Sequence, residues 1–171
     1  MITGTKIRLR DKRLSDALND YSWQTDAELA QLDAVPPLTI SYSQYLLDYT
    51  WELRFNYPTR RRFAVETLDG EHIGNCSYYD ISKSRSEAEL GIMIGNRDYW
   101  DKGYGTDTVL TLVNHIFQET SLKRIYLKTL EANARAKRCF EQCGFTRYGS
   151  KARDSYNFVL MELNRKQWQQ P

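Results

Sequence analysis

Two glycines set two residues apart, Gly103 and Gly105, stand where backbone alone could do chemistry. Upstream, residues 87–94 alternate with a period of two, so Ala88, Leu90, Ile92 and Ile94 share one strand face. Downstream, Val109, Leu112, Val113, Ile116 and Phe117 recur at helical spacing behind an expected helix start at Thr106 and Asp107. A strand, a glycine turn and a helix start together aim unpaired backbone N–H groups at an anion. Without a Cβ at either glycine, a ligand can approach the main chain closely. The segment Asp101, Lys102, Gly103, Tyr104, Gly105, Thr106 therefore reads as a pyrophosphate cradle with Lys102 as a cationic neighbour. It is not a dinucleotide fingerprint, because Thr108 stands where a third glycine is needed. Nor is it a P-loop, because no lysine follows Gly105.

A second element repeats the pattern of strand then helix. Residues 124–130 read as a strand, and residues 134–143 as a helix stopped by Gly144. Together, Trp100-Asp-Lys-Gly-Tyr-Gly105 and Asn133-Ala-Arg-Ala136 with Phe140 and Gly144-Phe145 resemble the two signature motifs of the GCN5-related N-acetyltransferase (GNAT) superfamily. The resemblance implies an α+β fold and an enzyme transferring an acetyl group from acetyl-CoA to an amine. It narrows toward the ribosomal-protein N-terminal acetyltransferase (RimJ/RimL-like) branch, where tryptophan replaces the family's Gln or Arg, as at Trp100. Trp23-Gln-Thr-Asp26 and residues 156–161 with Trp168 resemble that branch loosely, with Thr25 and Asn157 departing from it. The branch also holds polyamine and antibiotic acetylases, so a protein N-terminus and a small-molecule amine both stay open as acceptor.

Residue roles follow from the resemblance. Backbone groups around Ile92, Met93 and Ile94 are implied to bind the pantetheine arm and to donate to the thioester carbonyl, a preorganised oxyanion site. Residues 101–106, Asn133 and Phe140 complete the expected cofactor set, and Trp23 and Tyr78 are assigned to the acceptor. Glu89 is the candidate base, on the strand face it shares with Gly91 and Met93. A structural carboxylate bonding a neighbouring strand or helix is the equally open reading of Glu89. Phe140 stands where many relatives carry the tyrosine that protonates the departing thiolate. That departure keeps alive an alternative: a coenzyme A-binding sensor without turnover. An anion-binding interaction domain is the third reading.

Bulk properties agree with a soluble enzyme. A chain of 171 residues, 41% hydrophobic and 27% charged, suits one globular domain spanning 1–171. Its net charge of +2 lacks the basic excess of a dedicated nucleic-acid binder, and the run Arg60-Arg61-Arg62 reads as a solvated strand edge. No apolar run is long enough for a membrane span and no signal segment opens the chain, so a cytoplasmic location is expected. A homodimer stays open. The three cysteines and two histidines show no metal-ligand spacing, so no metal is expected. Cys139 reads as a small buried apolar residue despite its place beside Phe140, and Cys139 and Cys143, one turn apart on one helix, suit a disulfide poorly.

The remaining elements frame these motifs. Residues 6–10 open as a strand, residues 14–56 hold two or three short helices broken by Pro36-Pro37, and residues 63–67 and 72–79 pair around Asp69-Gly70. A closing antiparallel pair is expected near 145–150 and 156–163. The sum is a mixed, mostly antiparallel twisted sheet with helices on both faces. The acceptor pocket is expected in the aromatic-rich stretch 21–57.

Overall fold

The structure is a computed structural model and describes residues 1–168, so the last three residues of the expected 1–171 domain lie outside the described part. Eight strands form one sheet: β1 (Ile2–Thr3), β2 (Ile7–Asp11), β3 (Arg61–Thr67), β4 (His72–Ser82), β5 (Glu87–Ile94), β6 (Arg124–Leu130), β7 (Thr146–Arg153) and β8 (Tyr156–Asn164). Their order is β1-β2-β3-β4-β5-β6-β8-β7, antiparallel except for the parallel pair β5–β6. Three helices, α1 (Ala17–Thr25), α2 (Ala27–Leu32) and α3 (Tyr42–Glu52), lie between β2 and β3. The fourth, α4 (Tyr104–Glu119), joins β5 to β6, and α5 (Ala134–Gln142) follows β6.

Local chemistry sets the boundaries. Asp26 and Ser41 cap α2 and α3 by accepting from the N–H groups of Leu29 and Gln44 at 3.0 and 3.2 Å. The third residue of the β3–β4 turn, Gly70, takes φ +91°, which favours glycine there. The glycine-turn helix starts two residues earlier than its apolar spacing suggests, at Tyr104, because Gly103 takes a left-handed φ of +87° at the N-cap. Asp107 does not open that helix. Its carboxylate accepts from the backbone N–H groups of Thr5, Lys6 and Ile7 at 3.1, 2.8 and 3.1 Å and holds the β1–β2 turn.

Strand alternation divides the sheet into two unlike faces. Ile7, Leu9, Phe63, Val65, Ala88 and Leu90 point to the side covered by α4, where Val109, Leu112, Ile116 and Phe117 complete an apolar core. The opposite face, under α1–α3, buries charge. Arg10 lies between Glu66 and Asp16, donating from Nε at 2.6 Å to one and from its two terminal nitrogens at 2.9 and 2.7 Å to the other. Lys12 bonds Asp20 at 2.6 Å and also reaches Asn75. Among the described residues no helix is long and apolar enough to cross a membrane.

Candidate active site

The strands β5 and β6 run together for three residue pairs and then part. Their register is Glu87↔Arg124, Ala88↔Ile125 and Glu89↔Tyr126, yet β5 continues to Ile94 and β6 to Leu130. On the other edge of β5, pairing with β4 continues to Ile94. Main-chain groups alternate sides along a strand. The carbonyl of Ile94 accepts from Trp100 Nε1 at 2.7 Å on the open side, whereas the N–H of Gly95 bonds Ile73 of β4. Ile92 and Ile94 therefore turn their main-chain groups into the gap, and those of Met93 go to β4. Of the three expected strand contacts, Ile92 and Ile94 offer backbone and Met93 offers only its side chain.

A cleft of about 340 Å³ opens in this gap. The turn before α4 and its first residues close one end with Asp101, Gly103, Gly105 and Thr106, and α5 with its cap forms a wall with Asn133, Ala136, Cys139 and Phe140. The cradle thus gathers four of its six expected residues. Lys102 does not join them: its ammonium donates to the carbonyl of Asp98 at 2.7 Å and stays exposed. Nor does Tyr104, whose ring meets Tyr99 edge-on at 4.8 Å and lies under the Lys6 ammonium at 5.2 Å. Both side chains turn away from the gap. A Cβ on Gly105 would stand 3.7 Å from the Cys139 sulfur, so any larger side chain there grows into the narrow space between α4 and α5. Narrow, glycine-lined and set at the positive end of a helix, the cleft fits a pyrophosphate on a long thin arm.

Asn133 and Phe140 reach the cleft as expected. The Asn133 carbonyl oxygen accepts from Ala136 N at 3.2 Å and caps α5, while its NH₂ group takes no partner among the described residues. Phe140 is buried, edge-on to Phe145 at 5.9 Å, with one side on the cleft.

The acceptor assignments fare differently. Tyr78 lies in the core on the α4 side, 6.4 Å from the His115 ring, because strand parity turns it away from the gap. The next residue, Tyr79, faces the other way, opposite Glu89 across the β4–β5 pair. Trp23 is buried against His72 at 4.9 Å and Gly95, beside a second, polar pocket rather than on the cleft.

Glu89 is buried at the apex of the split, the last β5 residue paired to β6. Lys128, two positions beyond the last paired residue of β6, reaches back to bond its carboxylate at 2.9 Å. Asp33, at the end of α2, stands at the mouth of the cleft.

Several cleft residues are not assigned to the site from the sequence, Trp100 and Arg135 among them although they stand in the two motifs. Trp100 lies in the wall with the Arg135 guanidinium over its ring at 3.5 Å. Arg135, Arg138, Cys139 and Gln142 line the cleft at spacings of three, four and seven, a helical face that periodicity alone could have flagged as one surface of α5. Leu29, Leu32 and Asp33 come from a helix far away in sequence and carry no local signal.

Residues 6–146 match the family described as acetyltransferase (GNAT) domain. The chain belongs to that family. It is an N-acetyltransferase that uses acetyl-CoA. The chain is 25% identical to an uncharacterized N-acetyltransferase p20 of Bacillus licheniformis over 167 residues, covering 92% of this chain and 93% of the relative. It is 30% identical to an aminoglycoside N(6')-acetyltransferase type 1 of Klebsiella pneumoniae over 96 residues, 50% of this chain and 48% of that one. In fold it is similar to a spermidine N-acetyltransferase from Vibrio cholerae solved with CoA and spermine. There the TM-score is 0.84 at 20% identity, with 94% of this chain and 96% of that chain covered.

Proposed function

We propose that this acetyltransferase acts on the primary amine of a small cationic molecule of the polyamine or aminoglycoside kind. The observation that carries the reading is the split between β5 and β6, with the Gly103–Gly105 turn at one end, Asp33 in the lining of the cleft, and Glu89, which does not itself line it, at the last paired position. Asp33 at the mouth and Glu89 at the apex suit an acceptor that arrives positively charged and must lose a proton. The relatives named for spermidine and aminoglycosides support the same acceptor class. The ribosomal-protein branch suggested by the tryptophan motif rests on that motif alone.

Bound acetyl-CoA supplies an activated acetyl thioester. In our reading the Ile92 N–H, free of any strand partner, donates toward the carbonyl oxygen as charge develops there. The first turn of α4 holds the pyrophosphate, and the Asn133 NH₂ and Phe140 flank the arm. Glu89 takes the amine proton, through water, while Lys128 orients its carboxylate. Phe140 has no proton to give. The thiolate leaves unaided, which a thiol with an ordinary pKa of about 8.5 can do near neutral pH.

The test is free-thiol release from acetyl-CoA against polyamines, aminoglycosides, amino acids and short peptides. Release with the first two groups and not with peptides is expected; peptide-only turnover would return the acceptor to the ribosomal-protein branch. Glu89→Gln should lower kcat by roughly 10²–10⁴ with coenzyme A affinity unchanged. A fully active variant would leave Glu89 as a structural partner of Lys128 and shift the role to Asp33.

A further inference from the structure

Lys128 makes with Glu89 the contact that the proposed chemistry asks of an acceptor amine. Its Nζ donates to the Glu89 carboxylate at 2.9 Å, and 37% of the lysine side chain is open to solvent against 9% of the glutamate. A reachable primary amine therefore rests on the buried group assigned to take an amine's proton. Among the described residues, Lys12 and Lys137 also pair with carboxylates, but differently. Lys12 is sealed against Asp20, and Lys137 meets Glu131, a carboxylate that is itself half exposed.

Strand parity puts the Lys128–Glu89 pair on the sheet face that leads to the cleft. Glu89 stands beside Tyr126 in the parallel register, so Lys128, two positions on, shares that face. Along β5 the same face runs through Gly91 to Met93, which lines the cleft. Gly91 puts no side chain between the pair and Met93; a Cβ there would meet the Tyr79 ring at 3.3 Å and Ser77 Oγ at 3.4 Å. By position 128, β6 has left β5. The flexible four-carbon stem of the lysine can swing Nζ from Glu89 along this face without moving a strand.

We propose that Lys128 is a self-acetylation site, its Nζ taking the acetyl group from acetyl-CoA bound in the same molecule while no outside amine is present. The inference rests on the reading of the split as the acetyl-CoA site with Glu89 as the base. In the step, the Lys128 ammonium passes one proton to the Glu89 carboxylate. The freed lone pair on Nζ attacks the thioester carbonyl carbon. The new C–N bond forms as the C–S bond breaks, and coenzyme A departs as a thiolate with the electron pair. The nitrogen's next proton goes to that thiolate through water, and Glu89 returns the first to solvent. The amide carries no charge, so the capped lysine no longer competes with a cationic acceptor for Glu89.

The experiment incubates the whole protein with acetyl-CoA near neutral pH, without any acceptor, and maps modified lysines by mass spectrometry. One acetyl group on Lys128 is expected, gained at least about tenfold faster than on Lys102 or Lys137, with a half-time independent of protein concentration. Glu89→Gln should slow that gain about a hundredfold or more. Should that variant fail to fold, Lys128→Arg keeps a cation beside Glu89 and should abolish the fast phase. Calorimetry without cofactor adds a readout apart from turnover: spermidine should bind the acetylated protein about fivefold tighter, the weight of one exposed ion pair. Labelling spread evenly over surface lysines, a half-time that shortens with protein concentration, or full speed in Glu89→Gln would overturn the proposal. Unchanged spermidine affinity would overturn the competition for Glu89. Turnover of polyamines with Lys128 unmodified sinks self-acetylation and leaves the acceptor reading intact. A modified Lys128 without polyamine turnover does the opposite.

Discussion

Under α4 the sheet is dry and apolar, whereas under α1–α3 it holds Arg10, Lys12, Asp16, Asp20 and Glu66 away from solvent. The first face needs only hydrophobic periodicity to form, and its cost is spread over many replaceable contacts. The second depends on a few ions that each require their partner, because a buried charge left alone is expensive. The two faces also serve different ends. The apolar face fixes the frame of β5, α4 and α5 that holds the cleft, and the ionic face docks the helices that roof it.

The largest expected effect separates the faces directly. Arg10→Met takes the shortest ion pairs from Asp16 and Glu66 and should cost about 3–5 kcal/mol, read as a lower Tm and denaturation midpoint. Any folded fraction should still bind coenzyme A with native affinity, and a parallel loss of affinity would show that the faces are coupled. Gly105→Val should do the reverse. Its methyl groups enter the space beside Cys139, so coenzyme A affinity should fall about a hundredfold, near 2.7 kcal/mol, with little change in Tm. Native affinity in that variant would break the assignment of the cradle.

Acid should attack the ionic face first. Burial would raise the Asp16 carboxyl, but Arg10, the Arg13 N–H and the charge of Lys12 hold it down at about 2. A folded pKa below the unfolded value of about 3.9 gives stability that is present above that pH and lost as pH falls toward 2. Burial also lowers His72, so an earlier loss should begin as pH falls below about 6.5. Tm measured against pH, with Asp16→Asn removing the lower step, checks the sign. The smallest effect belongs to Phe140→Tyr. A hydroxyl bonded only as the thiolate departs is worth about 0.5–1.5 kcal/mol, so turnover should rise by up to about tenfold. Slower turnover with a lower Tm would make Phe140 a packing residue alone.

The same contrast explains what the chain reveals before folding. The cleft half was legible because its parts are local: Gly103 and Gly105 lie between a strand and a helix, and Asn133 caps the helix that bears Phe140. The acceptor half was not. Asp33 reaches the mouth from a short helix, and Arg10 finds Glu66 across 56 positions, so neither pairing leaves a local pattern. Tyr78 shows how a single step of strand parity redirects a side chain: the hydroxyl on the Glu89 side belongs to Tyr79. The start of α4 was displaced by the left-handed turn at Gly103, a backbone choice that apolar spacing does not encode.

The parting of β5 from β6 also bears on how such a chain drifts. In the function proposed above, its grip at Ile92 and Ile94 is made of main-chain atoms, which every residue except proline supplies in full. Point substitutions at these two positions can alter the shape of the cleft wall, but short of proline they cannot delete the grip. Innovation in acceptor choice can therefore accumulate in the helical roof while the handle on the cofactor is inherited intact.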